Sequence, residues 1–327
     1  MNKISFLILF LALVLEANII TVGGFEITKY PSLYSFHNDT PKKTRVPITD
    51  MLEDESKNVN GVTMWITRTW QENWYNVDTI QKKIINKGYM PVFIFYYFAD
   101  DVSVAFIQKY KQDYFKHLKK FTKFLKRIDG KKIVILNPEY NMNGVSKWVG
   151  MNDIFLKSFA ILRGDPEVKV GPCVGDFGNY SQANVPQEWK LFDPSLKKAA
   201  KSADFIAFQE MRAVTRNSKE EILNTSKRAY FFSKYLHKKY KKPTVLAYLA
   251  ISSYGKFGEK IQAAVYRDFV YYLPKMKKES NLQLFGIFHY FDYPKHVGYF
   301  KKAEEFFGIV TKEGIKKPSF KYFNVLE

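Results

Sequence analysis

The sequence contains very little cysteine, and this scarcity excludes two kinds of architecture. Cys173 is the only cysteine among 327 residues, so no intramolecular disulfide can form and a cysteine-based zinc site is excluded. The five histidines show no close metal-ligand spacing, and no glycine-rich phosphate loop follows any predicted strand. We therefore expect no catalytic metal and no cofactor.

Long hydrophobic runs are also scarce, and the one at the N-terminus is too short to span a membrane comfortably. A basic Lys3, an apolar run over 4–15 and a small Ala17 are typical of a secretory signal peptide. No later run reaches the roughly 18 apolar residues of a membrane helix. We therefore predict a signal peptide over 1–17, and a secreted or periplasmic domain over 24–327 with no membrane span after cleavage. An uncleaved N-terminal anchor is the alternative.

Acidic residues are outnumbered by basic ones. The chain has 51 Lys and Arg against 32 Asp and Glu, a net charge of +19. The electrostatic field of such a net charge attracts anions and favours an anionic polymer or envelope surface as partner. The alternative is a lysine-rich composition without such a role, because the lysines fall mainly on predicted helix faces such as 109–127. No nucleic-acid-binding motif is present, so we expect no nucleic acid partner.

Strand-like and helix-like segments alternate regularly along the chain. The strands are apolar throughout, as parallel strands buried on both faces should be. Eight strands separated by helices predict an α/β fold with one domain, a (β/α)₈ TIM barrel. An open doubly wound sheet is the rival, but it would need a glycine-rich loop. The predicted strands lie near 26–36, 61–67, 91–98, 133–139, 168–175, 204–210, 244–251 and 284–292.

Several predicted strands end in polar residues, and a parallel barrel places its active site at those ends. The fourth strand ends in Asn137, Glu139 and Asn141, which share one face if the segment is extended. In the sixth strand, Glu210 shares a face with Ile206 and Phe208. Two glutamates at one barrel end are the catalytic groups that glycoside hydrolysis needs. We expect Glu139 to be the general acid, with a raised pKa, and Glu210 to stay ionised beside Arg212 as nucleophile or base.

Aromatic and polar residues at the other strand ends complete the candidate cleft. Flat aromatic side chains offer platforms for the apolar faces of sugar rings, although some of them must belong to the core. The residues that we expect to bind substrate are Asn137, Tyr140, Asn141, Trp65, Tyr96, Asp176, Arg212, Tyr248, His289, Tyr290 and Asp292.

Two stretches resemble the clan A glycoside hydrolases. "NPEYNMNG" (137–144) resembles the "RPFHEMNG" stretch of the family 26 mannanases, although Asn141 holds the place of the family's glutamate and Glu139 lies two residues earlier. The stretch 284–320 resembles the last strand and ending of such barrels. The resemblance implies a (β/α)₈ retaining enzyme whose acid/base glutamate ends the fourth strand. It also implies a nucleophile at the end of the seventh strand, but "LAYLAISSYG" (246–255) has no carboxylate there.

Together these observations predict an exported glycoside hydrolase that cleaves a polysaccharide or oligosaccharide. Without a carboxylate on the seventh strand, either Glu210 replaces the nucleophile, the enzyme inverts, or the barrel is inactive. A non-catalytic carbohydrate-binding barrel at the cell envelope is therefore the main alternative, and a surface or adhesion protein is a third. We expect a monomer whose partner is a carbohydrate polymer or oligosaccharide.

Overall fold

In the computed structural model, which describes residues 19–23, 26–29, 44–55, 58–294, 296 and 298–326, eight parallel strands close into a barrel. The barrel closes because the first strand pairs with both the last one and the next one in the barrel. The barrel strands are β1 (Ile19–Gly23), β4 (Gly61–Thr67), β5 (Met90–Tyr96), β6 (Lys132–Leu136), β7 (Val168–Gly175), β8 (Ile206–Arg212), β9 (Thr244–Ile251) and β10 (Leu282–Ile287). The predicted (β/α)₈ barrel is confirmed.

The prediction for the first barrel strand was wrong. The segment expected at 26–36 instead contributes β2 (Glu26–Lys29), which pairs with β3 (Thr44–Pro47) in a separate antiparallel sheet. The first barrel strand is β1, which begins at Ile19. Sequence pattern favoured the wrong segment because both are short and β-branched, and only the pairing with β4 and β10 selects one of them.

Helices cover the outside of the barrel and follow most strands in turn. They are α1 (Thr49–Glu55), α2 (Val77–Lys83), α3 (Val104–Leu125), α4 (Met151–Leu162), α5 (Pro186–Trp189), α6 (Asp193–Leu196), α7 (Lys219–Leu223), α8 (Thr225–Tyr240), α9 (Gly258–Ser280) and α10 (Phe320–Phe323). The predicted caps are present: Asn76 accepts a hydrogen bond from Thr79, and Ser218 forms a capping box with Glu221. Among the described residues, none of these helices combines the length and apolar character needed to cross a membrane.

Alternate residues of each strand belong to two different apolar clusters. In β5, Phe93 and Phe95 pack outward with residues of α3, whereas Val92 and Ile94 point into the barrel. The interior cluster continues to the carboxyl ends of the strands through Tyr248 and other aromatic residues. The side chain's position along a strand therefore decides whether it faces the barrel mouth or the helices.

Candidate active site

The chain leaves the extended conformation at the end of β6, and this turn positions Glu139. Asn137 and Glu139 have positive φ values of 50° and 63°, a conformation that non-glycine residues adopt rarely. The expectation that Asn137, Glu139 and Asn141 share one face was therefore wrong, because the two-residue alternation holds only for an extended strand. Strained backbone of this kind occurs preferentially at functional sites.

The side chains of Asn137 and Asn141, on either side of Glu139, form hydrogen bonds with other parts of the chain and hold this turn in place. Asn137 Nδ2 donates to the Tyr114 hydroxyl of α3 at 3.0 Å. Asn141 donates to the Gly175 carbonyl at 3.0 Å and accepts from the Gly175 N–H at 2.8 Å. Both side chains are buried. Their described hydrogen bonds thus tie the turn to α3 and to the end of β7.

Glu139 reaches into the barrel mouth, where its carboxyl is largely enclosed although the residue keeps some exposure. The Tyr248 hydroxyl on β9 donates to Glu139 Oε1 at 3.1 Å. Burial raises the pKa of Glu139 from 4.5 to about 7, and the charges of Asp100 and Glu304 contribute to this rise. A carboxyl with such a pKa is protonated for part of the time near neutral pH, as a general acid must be.

Four aromatic side chains from four strands or the residue that follows one pack together at the barrel mouth, and one of them, Tyr248, binds the Glu139 carboxyl. The Trp65 ring lies 5.6 Å from Tyr96, 5.3 Å from Tyr248 and 5.6 Å from Phe288, measured between ring centroids. Trp65 and Tyr96 remain partly exposed. The predicted residues Trp65, Tyr96 and Tyr248 are thus brought together beside Glu139, and Phe288 is a fourth that the sequence did not single out.

Two further acidic residues lie near Glu139, and neither was predicted. Asp100 accepts a hydrogen bond from the Tyr96 hydroxyl at 2.9 Å and is exposed. Glu304 is only 5% exposed and accepts the Phe300 N–H at 2.7 Å. Asp100 lies two residues after the predicted strand 91–98, so position alone could have identified it. Glu304 lies in the stretch 298–308, whose pattern predicts a helix, and gave no such signal.

His289 directly follows Phe288 at the end of β10. Its ring stacks on Phe288 with 4.1 Å between centroids, and His296 lies 5.4 Å away. Burial, and secondarily His296, lowers the pKa of His289 to about 3. His289 is therefore a neutral imidazole at any pH near neutrality. Among the described residues, no three His, Cys, Asp or Glu side chains are grouped closely enough to hold a metal ion.

Glu210 does not face the barrel mouth. It shares a face with Ile206 and Phe208 as predicted, but that face packs against the helices. The β8 residue that pairs with Tyr248 is Gln209, one position earlier. Glu210 is fully buried. The prediction that Glu139 and Glu210 lie together at the barrel mouth was therefore wrong.

The surroundings of Glu210 form a buried ionic cluster between β8, β7 and α8. Arg212 Nη2 lies 2.9 Å from Glu210 Oε2 and 3.5 Å from Asp176 Oδ2, while Arg228 of α8 binds Asp176 at 2.5 Å. Arg212 also lies over the Tyr180 ring. Burial, and then the Asp176 charge, raises the pKa of Glu210 well above its ordinary value. Desolvation thus acts against the ionised form of Glu210, which Arg212 and Arg228 favour.

The remaining predicted residues also lie away from the mouth. Tyr140 is fully buried and its hydroxyl lies 3.2 Å from Ser195 Oγ. Tyr290 is fully buried in the helix-facing core. Asp292 pairs with Lys317 at 2.5 Å and accepts the Gly308 N–H at 3.0 Å. These contacts, like those of Asp176 and Arg212, serve the fold.

Neither a comparison with models of known protein families nor one with curated proteins found a match. The fold does match solved glycoside hydrolases. One is a fungal β-1,4-galactanase, with a TM-score of 0.60, 10% identity, and coverage of 94% of this chain and 98% of that one. Another is a variant of the GH5_18 enzyme from Bifidobacterium longum in complex with Manβ1-4GlcNAc, with a TM-score of 0.53, 12% identity and coverage of 81% and 68%.

A third similar structure is a β-glucuronidase from an uncultured Clostridium sp., with a TM-score of 0.55 and 14% identity. The match covers 85% of this chain but only 45% of that one. At these identities the likenesses show the fold, the closed eight-stranded barrel of glycoside hydrolases from several families. They do not single out family 26.

Proposed function

We propose that this protein is a glycoside hydrolase in which Glu139 is the general acid. The observation that carries the proposal is the Glu139 carboxyl. A strained turn holds it at the barrel mouth, where it accepts a hydrogen bond from Tyr248, a member of the aromatic cluster around Trp65. The carboxyl ends of the strands are where barrel enzymes place their chemistry. A protonated Glu139 can donate to the leaving glycosidic oxygen, while Trp65 and Tyr96 offer flat surfaces for a sugar ring.

Two further findings support the proposal. The pKa of Glu139, about 7, lies where a general acid works best near neutral pH. Solved structures with a similar fold include a fungal β-1,4-galactanase and a β-glucuronidase, which are glycoside hydrolases. Carbohydrate polymers or oligosaccharides are therefore the substrates we propose, and the net charge of +19 makes anionic glycans worth including in the test.

The test is hydrolysis of a panel of soluble polysaccharides and aryl glycosides by the wild type and by Glu139→Gln. Loss of general acid catalysis typically lowers the rate about 10²–10⁴-fold, so we expect a fall of that size on any polysaccharide that the wild type cleaves, because its leaving sugar oxygen must be protonated. The matched control is Glu167→Gln, an exposed glutamate just before β7 at the opposite end of the barrel, which should retain full turnover. Near wild-type turnover by Glu139→Gln would refute the role of Glu139.

A non-catalytic carbohydrate-binding barrel is the second candidate. It is favoured by two observations: residues 252–257, directly after β9, contain no acidic side chain, and Glu210 is turned toward the helices. This candidate predicts that the wild type and Glu139→Gln bind the same immobilised glycans equally and release no reducing ends. Product formation by the wild type alone would exclude it.

We further propose that the chain is exported, on the basis of its N-terminal apolar run, and that it acts as a monomer. That run falls within residues 1–18, outside the described residues. Mass spectrometry of the exported protein should give an N-terminus soon after Ala17, and light scattering should give the mass of one chain. An intact N-terminus would favour the anchor instead.

A further inference from the structure

The end of β9 is covered by a segment that follows β10. Ser252 Oγ donates to the Ala303 carbonyl at 2.7 Å, and the Ser253 N–H donates to the Phe306 carbonyl at 3.0 Å. Ala303 belongs to the same apolar cluster as Tyr248, which carries the hydrogen bond to Glu139. The 3₁₀ segment Lys301–Phe306 is thereby fixed at the end of β9, on the mouth side of the barrel.

This segment carries Glu304 between its two anchoring carbonyls. The Phe300 N–H donates to Glu304 Oε1 at 2.7 Å, and His296 Nε2 lies 3.5 Å from Oε2. Gly298 leaves room for the carboxylate, since a Cβ at that position would lie 2.5 Å from Oε2. His296 lies 5.8 Å from Phe288, and the Phe288 ring lies 5.3 Å from that of Tyr248, measured between ring centroids. Glu304 therefore lies on the same side of the barrel as Tyr248 and Glu139, and its charge contributes to the raised pKa of Glu139.

We infer that Glu304 is the second catalytic carboxylate, brought to the end of β9 by the segment Lys301–Phe306. This inference rests on the proposed glycosidase function and names the group that β9 itself lacks. Asp100 is the other acidic neighbour of Glu139, but it is exposed and lies after β5, whereas Glu304 is 5% exposed and held by the backbone.

Hydrolysis of a glycosidic bond requires two acid–base groups, and Glu139 and Glu304 can supply both of them. Glu139 gives its proton to the leaving oxygen as the glycosidic C–O bond breaks. Glu304 either takes a proton from the water whose oxygen bonds to the anomeric carbon, or bonds to that carbon itself and is later released by water. The anomer formed first separates these two routes, inversion for the former and retention for the latter.

The experiment uses the full chain and whichever 2,4-dinitrophenyl glycoside (galactoside, glucoside, mannoside or glucuronide) the wild type cleaves. Glu304→Gln keeps an oxygen to accept the Phe300 N–H but removes the charge, and we expect at least a 100-fold loss of kcat. Asp100→Asn is the matched control and should stay within about tenfold of the wild type. Glu304→Ala should regain turnover with added azide or formate, which a purely structural residue would not show.

A second readout is the pKa of Glu139, followed by NMR with a labelled side-chain carboxyl. It should fall in Glu304→Gln, because a neighbouring negative charge is removed. Turnover by folded Glu304→Gln near that of the wild type, or an unchanged pKa of Glu139, would overturn the inference and leave the proposed function standing. A wild type that cleaves no glycoside or polysaccharide would overturn both.

Discussion

Replacing Glu139 by glutamine should stabilise the protein above neutral pH. The folded chain holds this carboxyl at a pKa of about 7, compared with an ordinary value of 4.5. The folded state therefore binds the proton more tightly than the unfolded state. The free energy of unfolding should fall as pH rises from about 4.5 to about 7, and stay at that lower value above pH 7. A glutamine at the same position has no charge to desolvate.

The size of the effect follows from the same two pKa values. A rise from 4.5 to about 7 corresponds to about 3 kcal/mol, since one pH unit is worth about 1.4 kcal/mol. Because Glu139 keeps some exposure, we expect a gain of about 2–3 kcal/mol in Glu139→Gln at pH 8. Glutamine has the same shape and an oxygen that can accept the Tyr248 hydrogen bond, so the backbone turn should not change.

The assay is urea unfolding of the wild type and Glu139→Gln at pH 4 and at pH 8. The two proteins should have similar free energies of unfolding at pH 4, and the variant should have the higher one at pH 8. In thermal unfolding at pH 8, the melting temperature of the variant should be about 5 °C higher. Glu167→Gln keeps Glu139, so this control should have the same free energy of unfolding as the wild type at both pH values. Equal stability of the wild type and Glu139→Gln at pH 8 would refute the reasoning that the site desolvates a charge.

Three further predictions concern the groups around Glu139 and the buried ionic cluster. Tyr248→Phe removes the hydrogen bond that lowers the pKa of Glu139, so this pKa should rise by about one unit and the alkaline limb of the pH–rate profile should move upward. Arg228→Met leaves the carboxylate of Asp176 buried without its main partner, and should cost about 3–5 kcal/mol in urea unfolding; a cost under about 1 kcal/mol would contradict the cluster. Asn141→Ala removes both hydrogen bonds to the end of β7, which should cost about 2 kcal/mol and also lower kcat, while unchanged unfolding would show that the turn is held elsewhere.

The polarity pattern of the strands was enough to predict the barrel. Eight apolar strands alternating with amphipathic helices can bury both strand faces only if helices cover one side and the barrel interior the other. The stretch after β6 was also recognisable, because a carboxylate between two amides directly after an apolar strand is costly to bury and therefore marks a strand end. Glu139 was identified in this way, and Trp65, Tyr96 and Tyr248 were identified as aromatic residues at predicted strand ends.

The tertiary structure decided which way side chains face. Sequence alternation shows that Glu210 lies on one face with Ile206 and Phe208, but the two faces of a fully buried strand are equally apolar, so the pattern does not say which one is inside. Packing of that face against the helices turns Glu210 away from the mouth. The placement of Glu304 depends on contacts of the segment after β10 with the end of β9, about fifty residues earlier. Such long-range contacts leave no local pattern, because each side of the contact is formed by a backbone carbonyl or a serine that would look the same in any loop.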